Sequence, residues 1–127
     1  MIAVDTSALM AIVLNEPKAA PCARALQNDP ELLISAVTVA EALIVARARN
    51  VADEMGRLID GMGFQFVNVN ASTPERIARI YSKWGRGYHS ANLNFGDCFA
   101  YDVARENDCR LLFVGDDFAR TDIGAVL

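Results

Sequence analysis

Five acidic side chains occupy positions that an α/β fold would bring together. They lie beside the apolar runs of the sequence and are Asp5, Glu41, Asp97, Asp116 and Asp117. Two carboxylates about 4 Å apart repel each other by roughly 4 kcal/mol at an effective dielectric constant of ~20, so a cluster of them takes up protons or a cation. Because its donor atoms are oxygens, such a cluster suits Mg²⁺ or Mn²⁺. The predicted chemistry is hydrolysis of a phosphodiester bond, since a hard cation clamps a phosphate oxygen and lowers the pKa of bound water.

The apolar pattern predicts the elements that position these acids. Strands are predicted at residues 2–4, 32–34, 64–69 and 110–114, with a short edge strand at 125–127. Helices are predicted at residues 6–14, 18–27, 36–50, 51–62, 73–83 and 96–107, and a loop at 81–94. Short strands that alternate with helices predict a three-layer α/β/α domain with a mainly parallel central sheet. In such sheets ligands bind beyond the carboxyl ends of the strands, which is where the acids fall.

The composition favours one folded domain over residues 1–127. Hydrophobic residues make up 53% of the chain and charged residues 22%, which is enough to bury a core. No apolar run approaches the ~20 residues that span a bilayer, and the N-terminus lacks the features of a secretory signal. The three cysteines are widely spaced and odd in number, which argues against a disulfide framework. We therefore expect a cytoplasmic protein with no membrane partner.

The net charge limits how the protein can bind nucleic acid. Lys and Arg number 12 against 16 Asp and Glu, for a net charge of −4, which argues against binding by bulk electrostatic attraction. One segment is locally basic and carries rings that could stack on single-stranded bases. Its cations and rings are Arg76, Arg79, Lys83, Arg86, Tyr81, Trp84 and Tyr88. The alternative is an ordinary exposed basic helix face whose rings pack inward.

Each acid also has a purely structural interpretation. Asp5 and Asp97 could cap the helices that begin beside them. The segment 38–41, Thr-Val-Ala-Glu, matches a capping box in which Glu41 reaches back to the cap residue. The pair Asp116 and Asp117 could form a solvated turn after Gly115. Only the whole set of acids, gathered at one edge of the sheet, points to a catalytic site.

Four segments carry a resemblance to a known family. They are residues 1–9 (MIAVDTSAL), 35–41 (SAVTVAE), 93–101 (LNFGDCFAY) and 111–118 (LLFVGDDF). In residue type, order and spacing they resemble the four motifs of PIN-domain ribonucleases, specifically the VapC-type toxins of type II toxin–antitoxin systems. The resemblance covers essentially the whole chain. It departs from the family in the very short C-terminus after Ile123, so we expect an abbreviated last strand.

The resemblance implies an endoribonuclease that depends on Mg²⁺ or Mn²⁺. A small cognate antitoxin would inhibit it by laying a C-terminal segment over the acidic site, and the toxin would form a homodimer within a larger complex. Asp5, Glu41 and Asp97 match the family acids as catalytic residues and metal ligands. The fourth acid is Asp117 or its neighbour Asp116, with Asp117 as the more regular match.

The resemblance also suggests supporting residues. Thr6 or Ser7 matches the family hydroxyl beside the first acid, which would orient that acid or a metal-bound water. Arg86 and His89 lie in a stretch like the family's Gly-basic-Gly loop, and with Lys83 they are candidate RNA-binding residues.

Other classes of α/β protein fit the sequence less well. A phospho-acceptor receiver domain needs an acidic pair after the first strand and a lysine after the last, but Thr6 follows Asp5 and no lysine follows Lys83. A haloacid-dehalogenase phosphatase needs Asp-x-Asp, and position 7 is Ser. No G-x-G-x-x-G motif for a dinucleotide is present. A non-enzymatic protein-binding domain remains the alternative if the acids are only helix caps.

Overall fold

The computed structural model describes all 127 residues as alternating strands and helices. The strands are β1 (Ile2–Val4), β2 (Leu32–Ser35), β3 (Gln65–Val67) and β4 (Arg110–Leu112). The helices are α1 (Thr6–Val13), α2 (Ala19–Asn28), α3 (Ala36–Ala48), α4 (Ala52–Gly61), α5 (Thr73–Trp84) and α6 (Phe95–Glu106). A 3₁₀ turn, Phe118–Arg120, follows β4. None of the helices has the length and apolarity needed to cross a bilayer.

The four strands form one parallel sheet in the order β3-β2-β1-β4. Successive residues of a strand point to opposite faces, and in β1 and β2 both faces are buried, whereas the edge strand β3 is largely exposed. Ile2 and Val4 belong to a core shared with α1 to α4, whereas Ala3 belongs to a second core shared with α5 and α6. The chain therefore has the three-layer α/β/α architecture predicted from its sequence.

The β1 strand has its predicted bounds and β2 is one residue longer, whereas β3 and β4 are shorter than predicted, and the end of β4 bears on the site. The β4 strand was expected to reach Val114, but its ladder ends where Asp5 N–H donates to Leu112 O at 3.0 Å. The next available donor, Val114 N–H, bonds the Ser7 hydroxyl at 3.0 Å instead of another strand. The helices agree with prediction to within about two residues at each end, which is the ordinary uncertainty of such boundaries.

The C-terminal edge is a single bridge and not a full strand. Ala125 pairs with Leu111 in parallel, and Val126 N–H donates to Leu111 O at 3.1 Å. The predicted loop 81–94 begins later than expected, because α5 continues to Trp84. Its base is closed by main-chain bonds from Arg86 to Leu93 at 3.0 Å and from Leu93 to Trp84 at 3.1 Å.

Candidate active site

Carboxylates from four parts of the chain meet at the carboxyl ends of the strands. Asp5 follows β1, Glu41 lies in α3 after β2, Asp97 lies in the first turn of α6, and Asp117 precedes the 3₁₀ turn. Partial burial raises the pKa of Asp97 to about 7. A hydrogen bond from Asn94 opposes this rise, and the negative charges of Asp5, Glu41 and Asp117 add to it. Asp97 thus interacts with three other carboxylates, and Asp117 rather than Asp116 as the fourth acid stays a prediction.

Asp5 serves both as a helix cap and as part of this group. Its Oδ2 atom accepts hydrogen bonds from the Ser7 N–H at 3.0 Å and the Ser7 hydroxyl at 2.6 Å, which caps α1. Its Oδ1 atom is buried and has no hydrogen-bond partner. Burial raises the pKa of Asp5, the Ser7 bonds oppose the rise, and the charge of Glu41 adds to it. A buried carboxylate oxygen without a partner is costly, so this atom is suited to receive a proton or a cation.

The two hydroxyls beside Asp5 hold different acids. The Ser7 hydroxyl donates to Asp5 and accepts from Val114 N–H, so it joins the ends of β1 and β4. The Thr6 hydroxyl instead donates to Glu41 Oε1 at 2.7 Å. Both hydroxyls are therefore occupied in positioning carboxylates.

The capping-box interpretation of Glu41 is wrong. Helix α3 begins at Ala36, and its cap is Ser35, whose side chain accepts from Val37 N–H at 3.1 Å. Thr38 is thus inside the first turn of the helix, and its hydroxyl oxygen is buried without a partner. The helix starts earlier than the box requires, which leaves Glu41 free to reach Thr6.

Two further residues support the site and were not singled out from the sequence. Asn94 caps α6 by accepting from Asp97 N–H at 2.8 Å, while Asp97 accepts from Asn94 N–H at 3.0 Å. Gly96 leaves room for Glu41, because a Cβ at this position would overlap the Glu41 carboxylate. The helix N-terminus also favours nearby negative charge. The Asn-x-x-Asp spacing was a visible capping signal, whereas the need for glycine depends on a residue from another helix.

The residues present fit a hard divalent cation. The donors are carboxylate oxygens, among them the unpartnered Oδ1 of Asp5. Burial raises the pKa of the nearby Cys98 thiol to about 11, which disfavours a thiolate ligand. In this structure no three His, Cys, Asp or Glu side chains lie close enough together to hold a metal ion. An open site is compatible with Mg²⁺, which keeps several waters and binds through one or two carboxylates.

The basic segment divides into bound and free cations. Arg76 was predicted to be one of the cations open to RNA, but its guanidinium binds the buried Asp102 at 2.7 and 3.1 Å. Lys83 is exposed, and its Nζ lies 5.1 Å from the Trp84 ring centre. Arg86 is exposed and forms no ion pair.

The aromatic residues of this segment are mostly structural. Trp84 is half-buried and donates from its ring nitrogen to the Tyr101 hydroxyl at 3.1 Å. The exposed His89 packs edge-on against Trp84, with ring centres 4.7 Å apart, and its Nδ1 accepts from Ala91 N–H at 2.9 Å. Tyr88 is exposed. The imidazole thus helps to shape the loop, and its role toward RNA stays a prediction.

Comparison with known proteins identifies the family of the chain. The chain matches the PIN domain over residues 2–124. It belongs to the PIN-domain family. A relative of this PIN domain, the Ribonuclease VapC of Mycolicibacterium smegmatis, is 36% identical over 127 residues, covering 97% of this chain and 98% of the relative. The resemblance to VapC ribonucleases is therefore confirmed, and family membership replaces the receiver-like interpretation of the acids.

Two solved structures share the fold of this PIN domain. The crystal structure of Mycobacterium tuberculosis VapC20, described as a sarcin-ricin loop cleaving toxin, superposes with a TM-score of 0.76 at 16% identity and covers 97% of this chain and 96% of that one. A toxin–antitoxin complex from Klebsiella pneumoniae gives a TM-score of 0.74 at 20% identity, covering 100% of this chain and 97% of that one. At these identities the likeness concerns the fold.

Replacing Gly96 with Ala should disturb the cation site without unfolding the protein. The new methyl group displaces the Glu41 carboxylate and breaks its bond to Thr6, so we expect Mn²⁺ affinity to fall by roughly 10- to 100-fold. Isothermal titration calorimetry measures this affinity. Gly56→Ala is the matched control, because nothing lies within 4 Å of an added Cβ there. Equal Mn²⁺ affinity in both variants would contradict the supporting role of Gly96.

The metal-free protein should lose stability as the pH rises from about 4 to 7. Over this interval folded Asp97 keeps a proton that the unfolded chain releases, because its pKa is raised from 3.8 to about 7. The raised pKa of Asp5 acts in the same direction. Urea unfolding in EDTA at several pH values measures the effect, and Asp97→Asn should show a weaker pH dependence. An unchanged pH dependence in that variant would show that Asp97 titrates normally.

Proposed function

We propose that this PIN domain is a Mg²⁺- or Mn²⁺-dependent endoribonuclease and the toxin of a type II toxin–antitoxin system. The observation that carries the proposal is that Asp97 lies within reach of the negative charges of Asp5, Glu41 and Asp117, beside one unpartnered buried oxygen on Asp5. The 127 residues act as a single nuclease domain. The VapC ribonucleases to which the chain is related support the reaction class.

The four acids would hold the cation, and the hydroxyls position two of these acids. Asp5, Glu41, Asp97 and Asp117 are the proposed ligands and catalytic residues, with Ser7 fixing Asp5 and Thr6 fixing Glu41. When bound, the cation neutralises charge on the phosphodiester and makes water more acidic.

Water, rather than a side chain, is the attacking group. The Ser7 hydroxyl donates to Asp5 and accepts from Val114 N–H, and the Thr6 hydroxyl donates to Glu41. In this structure both hydroxyls position carboxylates. The proposed water attack needs no covalent enzyme intermediate.

The remaining proposals concern substrate path, location and partners. Lys83, Arg86 and His89 lie in or beside the loop 85–93 and are the proposed contacts to RNA. The three cysteines are free thiols, as expected in the cytoplasm. A small antitoxin with a basic or aromatic segment complements the acidic edge of the sheet, and the similar fold found in a toxin–antitoxin complex supports such a partner. Within that complex we expect the toxin to be a homodimer.

Purified protein should cleave an RNA pool with Mg²⁺ or Mn²⁺ and lose activity in EDTA. Asp97→Asn and Asp117→Asn each remove a cation ligand, so we expect losses on the order of 100-fold or more, measured by gel electrophoresis of end-labelled RNA. Asp116→Asn is the matched control and should retain activity. Cleavage that survives EDTA or Asp97→Asn would contradict the mechanism, and loss in Asp116→Asn alone would make Asp116 the fourth acid.

The chain purified from its native source should carry a small partner protein. Because the acidic edge attracts a basic segment, we expect the complex to dissociate as salt screens the attraction. Mass spectrometry of the native complex at low and high salt identifies the partner protein and measures how strongly it is bound. A chain recovered without any small basic partner would count against the toxin assignment and leave the nuclease proposal intact.

A further inference from the structure

An apolar groove runs between α5 and the start of α6. It has a volume of about 730 Å³, which lies within the ~300–1,000 Å³ typical of ligand sites. Its lining includes Val69, Ile77, Tyr81, Phe95 and Phe99. Phe95 is 66% exposed although it is a large aromatic residue, and its ring lies 5.0 Å from that of Phe99 in an edge-to-face arrangement. Phe99 thus holds the Phe95 ring in place at the surface.

The groove adjoins the candidate active site. Asn94 lines the groove and also exchanges two hydrogen bonds with Asp97. Asn94 is therefore the residue that the groove and the carboxylate site share.

The charge of the groove favours RNA over a basic peptide. No acidic residue lines it, and its one charged residue is Arg86, which has no ion-pair partner. An unpaired guanidinium attracts a phosphate and repels a cationic segment. Aromatic rings bind single-stranded nucleic acid because every base offers a flat face for stacking.

We propose that this groove holds a nucleobase next to the cleaved phosphodiester, with Phe95 as the stacking surface and Arg86 contacting a phosphate. The inference rests on the proposed ribonuclease function and specifies its substrate as single-stranded or unpaired RNA, since a base paired within a duplex cannot enter. Phe95 is a binding residue and not a catalytic one.

The test measures binding of a short fluorescein-labelled single-stranded RNA of mixed sequence. All variants carry Asp97→Asn and are assayed with Mg²⁺, so that the RNA remains intact. We expect Phe95→Ala to weaken binding by roughly 5- to 150-fold, the range that corresponds to losing one base stack. Phe95→Leu, which keeps apolar packing on Phe99, should also weaken binding, whereas Phe95→Trp should retain it. Phe66→Ala is the matched control, since Phe66 is 51% exposed on β3 and outside the groove.

Arg86→Gln tests the phosphate contact separately. Loss of one contact to single-stranded RNA should lower the slope of log affinity against log salt by about 0.7. An unchanged slope would overturn the role of Arg86.

Two results would overturn the base-binding groove. One is unchanged RNA affinity in both Phe95→Ala and Phe95→Leu. The other is that these variants alter only the sedimentation of the chain, which would make the groove a protein interface. Cleavage of the same RNA by the wild-type chain is measured in parallel. If that cleavage occurs while Phe95 proves irrelevant, the groove proposal fails alone; if no cleavage occurs, the proposed function fails.

Discussion

The burial of carboxylates beside one another is the constraint on which the rest of the site depends. Asp97 is partly buried and faces the negative charges of Asp5, Glu41 and Asp117, so its pKa rises to about 7. A fold that gathers such charges needs compensating contacts or it would relax to separate them. Those contacts come from elements far apart in the sequence, and together they fix the geometry of the edge of the sheet.

Short polar side chains and backbone N–H groups supply the contacts that offset the repulsion among the carboxylates. Ser7 bonds Asp5 and also receives Val114 N–H, which lies 107 residues away along the chain. Thr6 holds Glu41 across 35 residues. The N-terminus of α6 contributes its capping bonds and its favourable dipole. The same contacts end the β1–β4 ladder, so the short strands are part of the construction of the site.

Local charge, and not net charge, governs what this protein can bind. The chain carries −4 overall, yet four of its 16 acids meet at one edge of the sheet, and the exposed cations Lys83 and Arg86 lie at the end of α5 and in the segment that follows it. Ion pairing decides which of the basic side chains are free to bind a ligand. Arg76 is neutralised by Asp102, whereas Arg86 is unpaired in the apolar groove. The proposed RNA substrate, which combines phosphates with flat bases, matches this division.

The sequence by itself determined the order of the elements, the three-layer fold and the strand-end positions of the acids. Apolar periodicity and turn residues are local signals, and a parallel sheet brings strand ends to one edge whatever the loops do. The tertiary structure alone decided that Glu41 accepts a hydrogen bond from Thr6 and does not close a capping box. It also decided that Gly96 leaves space for the Glu41 carboxylate and that Arg76 pairs with Asp102. Each of these depends on partners 26 or more residues apart, whose side-chain contacts exist only after the layers have packed.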